Sequence, residues 1–341
     1  MAYVPNWQLK RNPTEEEKNL LRDMASPNQE KASAARAQFA VAVSSPIKQG
    51  VLKGDITANI FETREFDPQT PVEYDTDFLT PTNTGEFAAF AVPHQGRIPE
   101  RYLTSDYLTI RTYRVANAIN WDQRYSKFAR WDIVGRAMQV YEAGYVLKNN
   151  ADAWHVILRA AKERNILAYD EFATAGLFTK RLVSVMEHLM RRNAGGNSTS
   201  MGRGKMTDIF VSPESHADVL SWDLTQIPEG VREQIWQNWG AGGITKVGQV
   251  LIHDLDELGV SQEFQNYMDN ILGISYGSSG KSEIVVGLDL LNRDSFVNPI
   301  TEKVETFEDL TLHRSARNGV YGWGNWGYAC LDSRRAMVGA L

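Results

Sequence analysis

The sequence predicts an α+β chain, and three observations carry that expectation. One amphipathic helix, about Trp131 to Arg164, is far longer than any other periodic segment. Short β-prone runs alternate with helical patterns through the second half. Between residues 46 and 110 the chain is instead rich in Pro, Thr, Asp and Asn, with too few apolar residues for a core of its own.

Length and composition bound the rest. At 341 residues, the chain suits about two domains on a scale of ~100–200 residues each. With 43% hydrophobic and 23% charged residues it reads as an ordinary folded chain and not a disordered one. A single cysteine, Cys330, excludes an internal disulfide framework and a cysteine-cluster metal site. The net charge of −6 lacks the basic stripe of a dedicated nucleic-acid binder. Met1–Arg11 has no apolar h-region, and no window reaches the ~18 apolar residues of a membrane span. A soluble protein of a reducing cytoplasm is therefore expected, with no membrane partner and no cofactor.

In chain order, Asn12-Pro13-Thr14 followed by Glu15, Glu16 and Glu17 starts a helix, because carboxylates in the first turn meet the positive end of its dipole. Ser26-Pro27 starts a second one, with an Ala-rich stretch over Lys31–Val43. Apart from Leu20, Leu21, Phe39 and Val41 these helices offer little core, so the segment must lean on its own chain or on another. From 46 to 110, the runs Ile60–Phe66, Phe87–Val92 and Tyr107–Ile110 are separated by Asp67-Pro68, Thr70-Pro71, Thr80-Pro81 and Asn83-Thr84-Gly85. Such dense turn signals between brief strands predict an extended hairpin that a partner would have to cover.

Tyr113–Ile119 alternates with a strand period. Trp131, Val134, Met138, Tyr141 and Tyr145 then recur at steps of three and four, and Trp154, Ile157, Leu158 and Ala161 continue the stripe. Asn149-Asn150 marks a place for a kink. Leu182, Val185, Met186, Leu189 and Met190 predict a helix that stops at Asn193-Ala194-Gly195-Gly196. Asp208–Val211, Val247–His253 and Glu283–Leu288 read as strands, and Ser212-Pro213-Glu214 and Ser261–Phe264 as helix starts. The tail carries Leu310–Ser315, Val320–Trp326, Tyr328–Leu331 and Ala336–Leu341.

Catalytic motifs are weak. Gly277-Ser278-Ser279-Gly280-Lys281-Ser282 ends like a phosphate loop, but Ser275 stands where that loop needs Gly, and a strand-like run follows where it needs a helix. None of His94, His155, His188, His216, His253 and His313 forms a helical zinc pair. His253-Asp254 with Asp256 and Glu257 reads as a solvated strand end, and Cys330 as a small apolar residue of a buried strand. Arg191-Arg192 and Arg203-Gly204-Lys205 read as solvated charge. The aromatic Gly322-Trp323-Gly324-Asn325-Trp326-Gly327 suits packing more than a sugar platform.

The order of these elements resembles the major capsid proteins of tailed bacteriophages, those with the HK97 fold. Tyr113–Ile119 followed by Trp131–Arg164 looks like the peripheral-domain strand that feeds the spine helix. Thr207–Trp222 and Gly248–Ile252 look like axial-domain segments, Ile284–Phe296 is similar to the late strand and turn, and His313–Gly319 with Tyr328–Asp332 and Ala336-Met337 looks like the closing strands. The resemblance covers roughly 46–341. It implies an N-terminal arm over 1–50, an extended β-arm over 51–112, a peripheral domain with the spine helix over 113–170, an axial domain over 171–297, and closing peripheral strands over 298–341.

It also implies a structural function: self-assembly into hexamers and pentamers of an icosahedral head that encloses double-stranded DNA without reading its sequence. The implied partners are further copies of the chain, a separate scaffolding protein, a portal protein and a decoration protein, with assembly in the host cytoplasm. The expected intersubunit contacts are Leu20, Phe39, Phe78, Phe87, Phe90, Arg97, Arg101, Tyr102 and Trp131. Family members that crosslink use a Lys on the arm; none lies between Pro71 and Tyr107, so no such crosslink is expected. An encapsulin-like compartment shell is the alternative within the same fold. A carbohydrate-active or hydrolytic enzyme using 321–328 and His253-Asp254 is the alternative outside it.

Overall fold

The computed structural model describes residues 15–54, 59–75, 107–163, 167–172, 176–193, 204–222, 245–274, 283–291, 295–309, 312 and 315–341. In chain order these form α1 (Glu15–Met24), α2 (Gln29–Gly54), β1 (Glu62–Glu65), β2 (Glu73–Asp75), β3 (Tyr107–Thr109), β4 (Tyr113–Asp122), α3 (Gln123–Lys127) and α4 (Trp131–Glu163). Next come β5 (Leu167–Tyr169), α5 (Lys180–Asn193), β6 (Asp208–Val211), α6 (Pro213–Ser221), β7 (Thr245–Val247), β8 (Val250–Asp254) and α7 (Glu263–Asn266). The chain closes with β9 (Ile284–Leu288), β10 (Phe296–Glu308), β11 (Arg317–Trp326), β12 (Ala329–Cys330) and β13 (Ala336–Ala340). It divides into two compact units, the first of residues 1–72, 109–153 and 298–328, the second of 73–108, 154–297 and 329–341.

The first unit is built on the sheet β1-β10-β11-β4. Strands β11 and β4 run antiparallel over ten residue pairs, from Arg317 with Asp122 to Trp326 with Tyr113. The residues of α4 up to Ala153 cover one face through Val134, Met138, Tyr141 and Tyr145, all buried. Gly322 lets that helix sit close, since a Cβ there would strike the Tyr141 hydroxyl and the Glu305 carbonyl. The helix continues without a break through Asn149-Asn150 for 33 residues, about 50 Å at ~1.5 Å per residue. Asn149 is buried, and no kink forms there.

The N-terminal helices pack into this unit. The Asn28 carboxamide caps α2 by accepting from the Glu30 N–H at 3.1 Å, two residues beyond the expected cap at Ser26. Small residues Ala32, Ala35 and Ala40 allow close packing, and the Arg36 guanidinium bonds the Met24 carbonyl at 3.1 Å and the Glu308 carboxylate at 3.2 Å. The helix runs on to Gly54, past the residues 12–45 expected to hold the two N-terminal helices, and passes through Pro46. The segment thus leans on its own chain. Of the expected extended hairpin, β2 and β3 are paired at its base; residues 76–106 lie outside the described ones.

The second unit is a six-stranded mixed sheet, β5-β13-β9-β6-β8-β7. Strands β6, β9 and β13 are buried along their whole length, the pattern of strands covered on both faces. Ile209 and Val211 of β6 join α5 and α6 in a core with Leu182, Met186, Met190 and Trp222. Phe210, on the opposite face of the same strand, meets Trp154 edge-on at 4.8 Å. Helix α5 starts at Thr179, whose hydroxyl accepts from the Leu182 N–H at 3.2 Å and donates to Asp170 at 2.7 Å.

One expectation is corrected here. Residues 298–341 do not all close the first sheet: β13 lies inside the second sheet, antiparallel to β9 and parallel to β5. The reason is that Ala336-Met337-Val338-Gly339-Ala340 is apolar on both faces, which an interior strand accommodates and a one-sided sheet does not.

Candidate assembly surfaces

The alternation of β11 separates two faces of the first sheet. Val320, Gly322, Gly324 and Trp326 are buried, while Tyr321, Trp323 and Asn325 are half-buried on the other side. On the buried side the Tyr145 hydroxyl accepts from the Asn117 N–H at 3.0 Å and donates to the Gly322 carbonyl at 2.6 Å, joining helix to sheet. The neighbouring Tyr141 ring stands edge-on to Tyr145 at 5.2 Å. Burial, then the hydrogen bond to Tyr145, pushes the Tyr141 phenol well above its ordinary pKa.

The opposite side carries an aromatic floor. Phe307 stacks on Trp323 at 4.7 Å, Tyr321 lies 5.6 Å from Trp323, and the Arg114 guanidinium sits 5.4 Å from the Trp323 ring. An open groove of about 480 Å³ lies along this floor, bordered by Phe66, Glu302, Lys303 and Glu305. The Lys303 ammonium pairs with Glu65, and Glu302 accepts from the Asn325 amide at 2.6 Å. Glu305 is exposed and has no cationic partner among the described residues.

A second surface lies where β4 turns into α4. The Asp122 carboxylate caps α3 by accepting from the Arg124 N–H at 2.8 Å. Bonds from the Ala129 N–H to Ser126 O at 3.0 Å and from the Arg130 N–H to Tyr125 O at 2.8 Å close the helix in a Schellman turn. Ala129 takes the left-handed position, φ 49°, that glycine usually fills. The buried Ser126 hydroxyl anchors the turn, accepting from Trp121 and from Asn318, each at 3.0 Å. This fixed corner displays Phe128, 74% exposed, between Lys127 and Arg130, neither of which has a carboxylate partner among the described residues.

The residues expected at contacts are distributed unevenly. Phe39 is 2% exposed and packs edge-on against Trp121 at 6.0 Å, so its ring is enclosed by its own chain. Leu20 and Trp131 are half-buried. Phe78, Phe87, Phe90, Arg97, Arg101 and Tyr102 lie outside the described residues. Sequence reasoning missed Phe128, Glu305 and Phe307. The available signal was Arg124-Tyr125-Ser126-Lys127-Phe128-Ala129-Arg130, in which aromatic and basic residues alternate without a core spacing.

The residues weighed as catalytic candidates make the following contacts where they are described. His253 Nε2 lies 2.7 Å from the Asp208 carboxylate, and its ring stacks on Phe210. Burial, then the nearby Asp332 charge, pushes the Cys330 thiol up to about 12, away from thiolate chemistry. Asp289, fully buried, pairs with Arg335 and accepts from the Lys205 N–H at 2.9 Å, tying the β9 end to the β13 start. The Gly277–Ser282 motif lies outside the described residues. Among the described residues no three metal-binding side chains gather, and no helix is long and apolar enough to cross a membrane.

No family model matches the chain, and no curated protein matches it. Solved structures do match. A chain of the Cyanophage Pam1 capsid asymmetric unit is 11% identical with a TM-score of 0.53, over 83% of this chain and 88% of that one. A chain from Mycobacterium phage Bobi is 11% identical with a TM-score of 0.52, over 84% of this chain and 89% of that one. At such identities the likeness is one of backbone architecture, and by that architecture the chain has the HK97-like fold.

Proposed function

We propose that this chain is a major capsid protein, which self-assembles into hexamers and pentamers of an icosahedral phage head around double-stranded DNA. The observation that carries this reading is the backbone match to the Cyanophage Pam1 capsid chain over most of both chains. The role is structural and not catalytic; the raised pKa of the Cys330 thiol and the pairing of His253 with Asp208 are in keeping with it. The net charge of −6 suits a container that encloses DNA without gripping it, since every phosphate neutralised by Lys or Arg adds affinity. A scaffolding protein, a portal and a decoration protein are the further partners, and the host cytoplasm is the place of assembly. Within this reading, residues 76–106 and the exposed side of the N-terminal helices serve as contacts between subunits.

Light scattering and negative-stain microscopy of the expressed chain test the reading, with and without a co-expressed scaffolding partner. Rings of five or six subunits, or closed shells, are the expected result. A monodisperse monomer of 38.4 kDa under both conditions overturns it.

A further inference from the structure

We propose that the corner at Phe128 of one copy seats in the Trp323–Phe307 groove of a second copy. This rests on the shell-forming reading above and specifies one of its contacts. The corner presents an exposed phenyl ring between two cations, Lys127 and Arg130. The groove presents an aromatic floor, Phe307 and Trp323, with Glu302 and Glu305 beside it, Lys303 paired to Glu65 at its border and the Arg114 guanidinium against the Trp323 ring. The ring of the corner matches the aromatic floor, and its cations match Glu305, the exposed carboxylate of the groove that has no cationic partner among the described residues. At about 480 Å³ the groove falls within the ~300–1,000 Å³ of sites that enclose a small ligand, enough for a ring and a neighbouring cation.

The two surfaces cannot meet within one chain. The corner follows Asp122, which pairs with Arg317, whereas the groove is centred on Trp323 further along the same strand. At ~3.3 Å per residue those points are about 20 Å apart on a continuous sheet. The corner is also fixed, by Ser126 and the Schellman turn, so it does not swing towards the groove. A second copy therefore supplies the occupant. Because corner and groove are different surfaces, the contact is head to tail, the kind that propagates around a ring instead of stopping at a pair.

The direct test is carbodiimide coupling on the assembled parent chain, using mixed ¹⁴N- and ¹⁵N-labelled subunits. Hybrid-isotope peptides joining Lys127 to Glu305 or Glu302 are expected, and their absence overturns the contact. In sedimentation velocity, Phe128→Ala and Glu305→Lys are each expected to weaken self-association about tenfold or more. Combining Glu305→Lys with Arg130→Glu in one chain is expected to restore it to within about threefold of the parent. If the parent assembles and these variants assemble equally well, the contact is wrong and the shell reading stands. If the parent remains a monomer throughout, the shell reading falls and takes the contact with it. Saturable binding of an oligosaccharide to the groove with assembly unchanged also overturns the contact.

Discussion

Strand β9 is buried along all five of its residues, whereas of the ten residues of β4 only Val115 and Trp121 are buried. The second unit thus closes its sheet on both faces, with helices α5 and α6 over Ile209 and Val211 and with Trp154 over Phe210. Among the described residues, the first unit covers one face, through Tyr141 and Tyr145, and leaves Tyr321, Trp323 and the edge strand β4 partly open. A sheet that satisfies itself on both sides is a folding core. One that leaves an aromatic face and a long edge is incomplete until something else covers it, and under the proposed shell function a neighbouring subunit would be that cover.

The sharpest break of this comparison is Phe178→Ala in the second unit. Phe178 is fully buried against Trp222, whose indole N–H donates to the Phe178 carbonyl at 2.7 Å. Losing the ring should cost about 3–5 kcal/mol in denaturant unfolding. A loss under about 1 kcal/mol would mean that the second unit is not the closed core described here.

Glycine substitutions compare the two units at matched chemistry. Gly322→Ala in the first unit drives a methyl group into the Glu305 backbone, which cannot yield, and should cost roughly 2–3 kcal/mol. Gly339→Ala in the second unit meets only the flexible Met186 side chain, with the sulfur 2.7 Å from the added carbon, and should cost about 1 kcal/mol. Thermal unfolding of both variants reads the difference, and equal losses would contradict it.

Tyr145→Phe isolates the bond between helix and sheet. It leaves the Asn117 N–H and the Gly322 carbonyl without the phenol, at about 1–3 kcal/mol. Hydrogen exchange at Asn117 should accelerate, while amides in β9 should not change.

The smallest effect is expected from pH. Glu283 in the second unit has its pKa raised, chiefly by burial, with opposing hydrogen bonds from Ser212 and Ser215. A carboxyl whose pKa rises on folding contributes stability below its unfolded value and loses it as pH climbs through the folded value. Glu283→Gln, which keeps the acceptor oxygen facing both serines, should therefore stabilise the protein modestly at neutral pH and change little near pH 4. Stabilisation at pH 4 with none at pH 7 would refute that sign.

How much of this was legible in the sequence differs from element to element. The spine helix was readable because Val134, Met138, Tyr141 and Tyr145 keep the helical step for many turns. The passage of α2 through Pro46 was not, since local signals favoured a stop there. The α3 corner was hidden because Ala129, and not glycine, holds the left-handed position. The Trp-rich segment was readable as packing for Trp326, which is buried. Trp323 belongs to the opposite face, and only the pairing of β11 with β10 and β4 brings Phe307 and Arg114 to it.

The sequence by itself determined the local periods: which segments coil, which extend, and which side of each is apolar. It also determined the order of elements that resembles the HK97 fold. Only the tertiary structure decided that β13 enters the second sheet beside β5 and β9, that α1 and α2 pack on their own chain, and that one face of the first sheet is only half-buried among the described residues. The physical reason is that alternation along a strand names its apolar face but not its partner. Partners are set by pairings between distant segments, such as Val338 with Leu167, whose free energy no local window contains.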